Sequence, residues 1–264
     1  MGASTSWLPV QVPCVEMLPV GCLLWCVARG TPVDVVSCGK GYPSLQNETI
    51  RGRIDYCRWL LQSLGDPTKM VTLGRIDDRS IWEEPAGDTG PAKHRDIAIA
   101  APMFGPEATA QTLRTLAEGY GKTETPPLKH PHSPVGVVEV EPQQCTGYGV
   151  CAGACPTRAL QFLRDDGDVV LTLDGSTCIA CGQCIKVCPE ADAGAIRLDR
   201  ATDLAHLIRG QTTVYRDKEA RCERCGAPIA SIAMLNRIAS MAGEELSPLM
   251  VQISRYCPDC RGLG

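Results

Sequence analysis

The sequence has few of the features by which membrane proteins and secreted proteins are recognised. No apolar run approaches the roughly 18 residues that a membrane-spanning helix needs. The apolar stretch from Leu18 to Ala28 has no basic segment before it, and Pro13, Glu16 and Pro19 break the pattern of a secretory signal. We therefore expect a protein that is not inserted into a membrane and that resides in the cytoplasm.

Signals for binding nucleotides or nucleic acids are also lacking. The phosphate-binding fingerprints G-x-G-x-x-G and G-x4-G-K-[ST] do not occur. The formal net charge is −4 and the pI is about 5.6, which argues against a nucleic-acid partner. Of the four histidines, His94, His130 and His132 fall in segments with loop composition, and we assign them no metal. No pattern supplies a catalytic base or nucleophile.

Cysteine, in contrast, is abundant, with 16 residues in a chain of 264. This density of about 6% is below that of a short secreted scaffold held by disulfides. The cysteines are also grouped at spacings typical of metal sites. In a reducing compartment such groups indicate metal ligation rather than disulfide bonds.

Two cysteine runs form the centre of the sequence. The second run has the spacing C-x2-C-x2-C-x3-C-P, which is typical of bacterial ferredoxins with two clusters, and it comprises Cys178, Cys181, Cys184, Cys188 and Pro189. The first run, Cys145 to Pro156, repeats this spacing but has Tyr148 in place of its second cysteine.

In such ferredoxins the fourth cysteine of each run binds the other cluster. The resemblance therefore implies that one 4Fe–4S cluster is held by Cys155, Cys178, Cys181 and Cys184. It leaves Cys145, Cys151 and Cys188 for a second cluster, with Tyr148 at the fourth position. A phenol with an ordinary pKa of about 10 is a poor substitute for a thiolate. We favour a 3Fe–4S cluster there, and a second 4Fe–4S cluster with a non-cysteine ligand stays open.

The C-terminal region contains a different cysteine pattern. Two C-x2-C pairs separated by a longer insert are typical of a structural zinc site with four thiolates, and they consist of Cys222, Cys225, Cys257 and Cys260. A further iron site and unmetallated thiols are the alternatives. The apolar residues between the pairs predict one helix, and they are Ile229, Ile232, Met234, Leu235, Ile238 and Met241.

Hydrophobic periodicity predicts an N-terminal α/β domain in which strands alternate with helices. Its predicted elements are a helix over Leu18–Arg29, a strand over Val33–Cys38, a helix from Asn47 to Leu64, a strand over Met70–Leu73, a strand over Asp96–Ala101 and a helix over Pro106–Glu118. This order indicates a small parallel sheet. The apolar stripe of the second helix includes Cys57, which we expect in the core.

The whole chain is thus predicted to combine α/β and α+β architecture. We expect an α/β domain at 1–120, a Pro-rich linker at 121–134, a ferredoxin-like domain with two clusters at 135–203 and a zinc-binding module at 204–264. Within the third domain, the predicted strands are Val135–Val140, Ala159–Leu163, Val169–Leu173 and Ala195–Leu198.

The N-terminal region resembles the delta subunit of methyl-viologen-reducing hydrogenase. The shared pattern is Val12-Pro-Cys14, then Val35-Val-Ser-Cys38-Gly, then Gln46-Asn-Glu-x4-Arg53-x4-Arg58-x2-Leu61-x3-Gly65. The resemblance implies a subunit that links a hydrogenase or formate dehydrogenase to the flavin-containing subunit of heterodisulfide reductase.

The same family carries a 2Fe–2S cluster, but this sequence matches its ligand positions only at Cys14 and Cys38. The family's earlier Cys-x-x-Cys and its second cysteine after the Cys38 position have no counterpart here, so we expect no 2Fe–2S cluster. Cys22 and Cys26 lie one helical turn apart and could substitute, but we interpret them as small buried hydrophobic residues.

These patterns together indicate one-electron transfer rather than catalysis by side chains. We expect a non-catalytic iron–sulfur subunit that relays electrons between a flavin-containing subunit similar to that of heterodisulfide reductase and a partner oxidoreductase. Two alternatives stay open. One is an iron–sulfur redox sensor or regulatory protein, and the other is a subunit whose open iron corner near Tyr148 contributes to a substrate site.

Overall fold

The computed structural model describes residues 12, 14–29, 31–37, 48–65, 71–75, 105–122, 124–242 and 247–261. Cys38 and the predicted strand Asp96–Ala101 lie outside the described residues. The chain divides into two compact units, of which the first comprises Met1–Pro134 with Arg200–Ile208 and the second comprises Val135–Asp199 with Arg209–Gly264.

The described elements follow one another in a mixed α/β order. The first part of the chain contains α1 (Val20–Ala28), β1 (Val33–Ser37), α2 (Glu48–Ser63), β2 (Val71–Arg75), α3 (Pro106–Gly119) and β3 (Leu128–Lys129). The central part contains β4 (Gly136–Val140), α4 (Val150–Gly153), β5 (Leu160–Asp165), β6 (Asp168–Asp174), α5 (Gln183–Val187), β7 (Ile196–Thr202) and α6 (Leu204–Arg209). The last part contains β8 (Gln211–Arg221), β9 (Pro228–Ser231), α7 (Ile232–Ala242), α8 (Ser247–Arg255) and α9 (Pro258–Arg261).

In the first unit, β1 and β2 pair in parallel with Val33 opposite Val71, as the alternation of strands and helices predicted. Helix α2 buries its predicted apolar stripe completely, and Cys57 is fully buried within it. The prediction that Cys57 belongs to the core is therefore confirmed. Two arginines of α2 bind the backbone of this unit: Arg53 donates to the carbonyls of Glu16 and Leu18, and Arg58 donates to that of Val71.

The Pro-rich segment before Pro134 packs within the first unit. Strand β3 pairs antiparallel with the end of β7, with Leu128 opposite Thr202. The buried hydroxyls of Ser133 and Tyr56 both lie within hydrogen-bond distance of the Thr202 hydroxyl, at 3.0 and 2.6 Å. The ring of His130 lies 4.9 Å from that of Trp59, so aromatic packing as well as hydrogen bonds fixes this segment on α2.

The second unit is built around a four-stranded antiparallel sheet in the order β5-β6-β8-β9. The hairpin of β5 and β6 was predicted from the sequence, whereas β8 was not. Strand β8 pairs with β6 through one half and with β9 through the other, for example Leu171 with Tyr215 and Ala220 with Ala230.

One predicted helix boundary in this region is wrong. Ile229 lies in strand β9, and the helix that was expected to include it begins only at Ile232. Pairing of β9 with the end of β8 satisfies backbone groups that a longer helix would have satisfied internally, so tertiary context determines the boundary here. Among the helices of the described residues, none combines the length and the apolar character needed to span a membrane.

Candidate metal centres

The two cysteine loops of the second unit have the same backbone conformation. The fifth residue of each loop is a glycine with φ of 75°, Gly149 in the first and Gly182 in the second, and each glycine precedes a short helix, α4 or α5. The third residue also has positive φ in both loops, 66° at Gly147 and 53° at Ala180. Residues with positive φ turn the chain tightly enough to bring neighbouring cysteines to one side.

Most of these cysteines lie in the hydrophobic core of the unit. Cys178 and Cys184 are buried among apolar side chains of the sheet such as Leu171, and the partly buried cysteines packed against the same core are Cys145, Cys151, Cys155 and Cys188. Cys181 is exposed. Six thiols in a core, with no disulfide among them, leave sulfur atoms available to ligate metal in a site largely closed to solvent.

Burial governs the protonation of these thiols. It raises the pKa of Cys151 and of Cys184 to about 11, and it also raises the pKa of Cys145 and of Cys178. A thiol with a raised pKa is neutral at pH 7, and a bound cation reverses this because it stabilises the thiolate.

The thiols that raise one another's pKa fall mainly into two sets. Cys155 and Cys181 affect both Cys178 and Cys184. Cys145 and Cys188 affect Cys151, with a smaller contribution from Cys184 that links the sets. The assignment of individual cysteines to clusters stays a prediction, and these sets have the same membership as that prediction.

Cys155 differs from the other thiols in its hydrogen bonds. Its burial raises the pKa, but backbone N–H groups of Leu160, Thr157 and Ala159 and the Thr157 hydroxyl, 3.8 Å away, stabilise the thiolate and lower the pKa overall. Such donors to sulfur are among the interactions that tune the potential of an iron–sulfur cluster.

Tyr148 occupies the position in the first loop that Cys181 occupies in the second. It is half-buried and lies in the wall of a cavity formed by the first loop and the end of the second. The cavity is lined by three thiols and by aromatic, apolar and acidic side chains, which are Cys145, Cys151, Cys188, Tyr148, Val150, Phe162, Leu171, Glu190 and Tyr215. This donor set suits an iron–sulfur group with three thiolate ligands, with the phenol of Tyr148 at the remaining ligand position of the loop.

Residues from the C-terminal part of the chain contact this cavity and were not identified from the sequence. The Ser231 hydroxyl donates to the carbonyl of Thr146 at 2.6 Å. Tyr215 lies against Gly147, where an added Cβ would approach its ring to 3.2 Å. Arg237 donates to the carboxylate of Glu190 at 2.9 Å. Neither the serine at the end of β9 nor the arginine on α7 belongs to a sequence pattern that could have revealed these contacts.

The four cysteines of the C-terminal pairs converge on one point. Their sulfur atoms all lie within 4.8 Å of one another, and those of Cys225 and Cys257 are 3.6 Å apart. Such a group is close enough to bind a single metal ion. The structure thus brings together all four cysteines that were predicted to form the tail site, Cys222, Cys225, Cys257 and Cys260.

Backbone N–H groups of the tail site favour the thiolate at Cys222. N–H groups of Cys257, Cys225 and Arg224 lower the pKa of Cys222 to about 6, whereas burial raises the pKa of Cys260 to about 12. Two ion-pair contacts of 2.7 Å between Arg255 and Glu223 join the second cysteine pair to the first. The site is therefore positioned by charged as well as thiol side chains.

The N-terminal cysteines in the described part of the first unit differ in exposure. Cys14 is exposed, and on α1 Cys22 is buried and Cys26 is half-buried. Burial raises the pKa of both Cys22 and Cys26, so these thiols are protonated at neutral pH.

Comparison with known proteins agrees with the cysteine geometry of the second unit. Residues 137–189 match the family model of the 4Fe-4S dicluster domain. The chain is also 33% identical over 91 residues to the thiosulfate reductase electron transfer subunit PhsB of Salmonella typhi, an alignment that covers 33% of this chain and 46% of that protein. The chain thus spans about half the length of this relative.

These matches define a class for the central segment. It is similar to the 4Fe-4S dicluster domain, and the relative is the electron transfer subunit of a reductase. The predicted resemblance of this segment to two-cluster ferredoxins is confirmed. The resemblance of the N-terminal region to the hydrogenase delta subunit stays a prediction.

Proposed function

We propose that this protein is an iron–sulfur electron-transfer subunit of an oxidoreductase complex. The observation that carries the proposal is the pair of matching cysteine loops in the core of the second unit, within the segment that matches the 4Fe-4S dicluster family. The relationship to an electron transfer subunit of a reductase supports it. Cysteines at cluster-ligand spacing supply one-electron chemistry through the clusters that they would hold, which supports electron transfer.

The residues fit two clusters. Cys155, Cys178, Cys181 and Cys184 would hold a 4Fe–4S cluster, and Cys145, Cys151 and Cys188 would hold the second. When bound, such clusters accept and release single electrons. The chain's own contribution is a core that excludes water, N–H donors that stabilise sulfur charge at Cys155, and an exposed Cys181 at which one cluster would come near the surface.

We propose a 3Fe–4S cluster at the second position because, among the residues that the structure describes, only the thiols of Cys145, Cys151 and Cys188 line the cavity around Tyr148. Cluster type and net charge set the reduction potential. The two centres of one chain would then differ in potential, and electrons would be held longer at the centre with the higher potential. A second 4Fe–4S cluster with a ligand other than cysteine is the alternative.

We propose that the partners are a catalytic oxidoreductase, of the hydrogenase or formate dehydrogenase type, and a flavin-containing subunit similar to that of heterodisulfide reductase. The relative's place as a subunit of a reductase supports a catalytic oxidoreductase partner. The type of that oxidoreductase and the flavin-containing partner rest on the sequence pattern from Val12 to Gly65 described above.

For the tail site we propose zinc. Four thiolates at 2.3 Å from one tetrahedral ion lie about 3.8 Å from each other, and the 3.6 Å between Cys225 and Cys257 agrees with this arrangement. A cluster of four irons would spread its ligands further. Zinc is redox-inert, so this site would stabilise the fold of the C-terminal elements rather than carry electrons.

Metal analysis of Cys257→Ser tests the tail assignment, with the exposed Cys14→Ser as control. We expect the first variant to lose about one zinc and no iron per chain, and the control to keep both metals. Loss of iron instead of zinc from Cys257→Ser would show that the tail binds iron.

Purification of the chain from its native source under anaerobic conditions tests the function. We expect brown protein with about seven or eight iron atoms per chain, reducible by dithionite and accompanied by a catalytic oxidoreductase. Copurification of a flavoprotein supports the proposed flavin partner. Colourless, iron-free protein would refute the assignment of the seven loop cysteines.

A further inference from the structure

The residue that follows each cysteine loop differs in charge between the two loops. Each loop ends in Cys-Pro, and the next residue is Thr157 after the first loop and Glu190 after the second. Thr157 lies 3.8 Å from the sulfur of Cys155. Glu190 instead lines the cavity that also contains Tyr148. The tyrosine and the glutamate therefore both lie around the same group of three thiols.

Glu190 is buried, with 8% of its surface exposed. Its carboxylate accepts a hydrogen bond of 2.9 Å from the guanidinium of Arg237 on α7, and the arginine side chain is 45% exposed. A carboxylate that is buried beside apolar and thiol groups needs such a partner, because an unpaired charge there would be costly. The cavity wall thus contains one negative charge and, just outside it, one positive charge.

Helix α7 is held firmly enough to fix the position of Arg237. The Ser231 hydroxyl accepts the N–H of Met234 at 3.1 Å and donates to the carbonyl of Thr146 in the first cysteine loop. The carboxylate of Asp217 on β8 accepts the N–H of Ala233 at 2.8 Å. The start of α7 is therefore bound both to the sheet and to the first cysteine loop.

We infer that the Glu190–Arg237 ion pair sets the reduction potential of the cluster bound by Cys145, Cys151 and Cys188. The inference rests on the proposed function, which supplies the cluster. Reduction adds one electron, delivered by the partner oxidoreductase, and hence one negative charge to the cavity. A carboxylate in the wall opposes this charge, and the guanidinium that pairs with it reduces the opposition.

The pair acts on one cluster more than on the other, because Thr157 at the corresponding position carries no charge. Arg237→Gln leaves the Glu190 charge uncompensated and should make its cluster harder to reduce. Glu190→Gln should make the same cluster easier to reduce. Arg237→Lys keeps the charge and should stay close to the wild type.

The test is a redox titration with dithionite and mediators, in which EPR spectroscopy follows each cluster separately in the anaerobic holoprotein. At a fixed solution potential we expect Arg237→Gln to lower the ratio of reduced to oxidised cluster about tenfold, equivalent to about 59 mV for a one-electron couple. Glu190→Gln should raise this ratio. The double variant Glu190→Gln with Arg237→Gln should fall between the two single variants.

A matched control is available in the same unit. Arg164 and Glu219 form another ion pair of 2.6 Å, with the glutamate side chain 1% exposed, on strands β5 and β8 and outside the cavity lining. Arg164→Gln should leave both potentials unchanged. Circular dichroism and iron content establish that each variant is folded and loaded.

Three outcomes overturn the inference while the proposed function stands: unchanged potentials in both Arg237→Gln and Glu190→Gln, equal shifts of both clusters, or an equal shift in Arg164→Gln. Conversion of the cluster to another type by Glu190→Gln also overturns it, since the carboxylate would then be a ligand. A wild-type protein without iron overturns both the inference and the proposed function.

Discussion

The loop from Cys145 to Pro156 and the loop from Cys178 to Pro189 can be compared residue by residue, because their turns and short helices coincide. Gly149 and Gly182 have the same φ, and both precede a helix of about one turn. Among several side-chain differences, Tyr148 stands where the second loop has Cys181, and the residue that follows the loop is Thr157 in one case and Glu190 in the other. The first loop thus keeps the backbone conformation of the second loop although one of its ligand cysteines is replaced by tyrosine.

The surroundings of the two loops differ as well. Ser231 and Tyr215, from the C-terminal part of the chain, lie against Thr146 and Gly147 of the first loop. In the second loop Cys181 is exposed, and an added Cβ at Gly182 would meet no atom within 4 Å. The comparison indicates that the loop with the incomplete thiol set is the loop that the C-terminal elements cover.

The largest effect, on iron content and cluster type, is expected when the residues at the fourth position of the two loops are exchanged. Tyr148→Cys completes a set of four thiols, so the protein should gain about one iron per chain and lose the near-isotropic EPR signal of an oxidised 3Fe–4S cluster. The reciprocal Cys181→Tyr should lose about one iron and add a signal of that kind. Two complete 4Fe–4S clusters in the wild type would contradict this prediction.

Replacement of Gly149 and of Gly182 by alanine should reveal how differently the two loops are packed. Both substitutions force a residue with a side chain into positive φ, at a cost of about 1–2 kcal/mol. At Gly149 the new Cβ would also approach the ring of Phe162 to 2.8 Å, which adds about 1–3 kcal/mol of overpacking. Thermal unfolding of the loaded protein should therefore show a larger decrease for Gly149→Ala than for Gly182→Ala, and equal decreases would disprove the difference.

Loss of the Ser231 hydroxyl should weaken only the covered loop. Ser231→Ala removes the cap of α7 and the bond to Thr146, for an expected loss of about 1–2 kcal/mol in the free energy of unfolding. Hydrogen exchange at the first loop should increase while exchange at the second stays the same. Ser240→Ala on the exposed side of the same helix is the control, and a similar effect of both variants would refute a specific role of Ser231.

The smallest effect on stability is expected from the ion pairs between Asp168 on β6 and two basic residues on β8, within the sheet on which both loops pack. Lys218 and Arg216 on β8 lower the pKa of Asp168 on β6 through hydrogen bonds. Because the pKa in the folded state is below that in the unfolded state, the contribution to stability is present above the unfolded pKa of about 4 and is lost as the pH falls through the folded pKa. The side chain of Arg216 is 48% exposed and that of Lys218 is 72% exposed, so solvent screens the interaction.

The variant Asp168→Asn should therefore make the unfolding temperature less sensitive to pH below about 4. Asp192→Asn, which changes an exposed carboxyl, serves as the control. An unchanged pH dependence in Asp168→Asn would show that these ion pairs do not contribute to stability.

Local sequence patterns predicted many of the secondary-structure elements of this protein. The stripe of α2 around Cys57, the parallel pairing of β1 with β2, and the hairpin of β5 and β6 follow from periodicities of three to four residues or two residues. Strand β8 escaped prediction because its residues are mostly polar or charged and lack a two-residue apolar alternation, and its extended conformation is fixed by pairing with β6 and β9. The Pro-rich composition of 121–134 gave no indication that Ser133 and Thr202 would be buried together.

In the candidate sites, too, local sequence patterns predicted some features, and others depend on contacts between distant residues. Cysteine spacing along the sequence is enough to predict the ligand groups. The first three ligand positions of each loop lie within a short stretch of consecutive residues, and metal binding requires strict geometry. The contacts of Ser231 with Thr146 and of Arg237 with Glu190 join residues 85 and 47 positions apart. Partners at such separations depend on how the strands and helices pack, which the amino-acid order does not display locally.

The sequence by itself determined which residues carry sulfur at metal-binding intervals and where one thiol of the repeat is missing. Only the tertiary structure decided that β8, β9 and α7 cover the incomplete loop, and that Arg237 of α7 pairs with Glu190 beside the same cavity. The physical reason is that ligand spacing is a property of a few consecutive peptide units, whereas the electrostatic environment of a buried site is assembled from distant segments by the packing of the sheet.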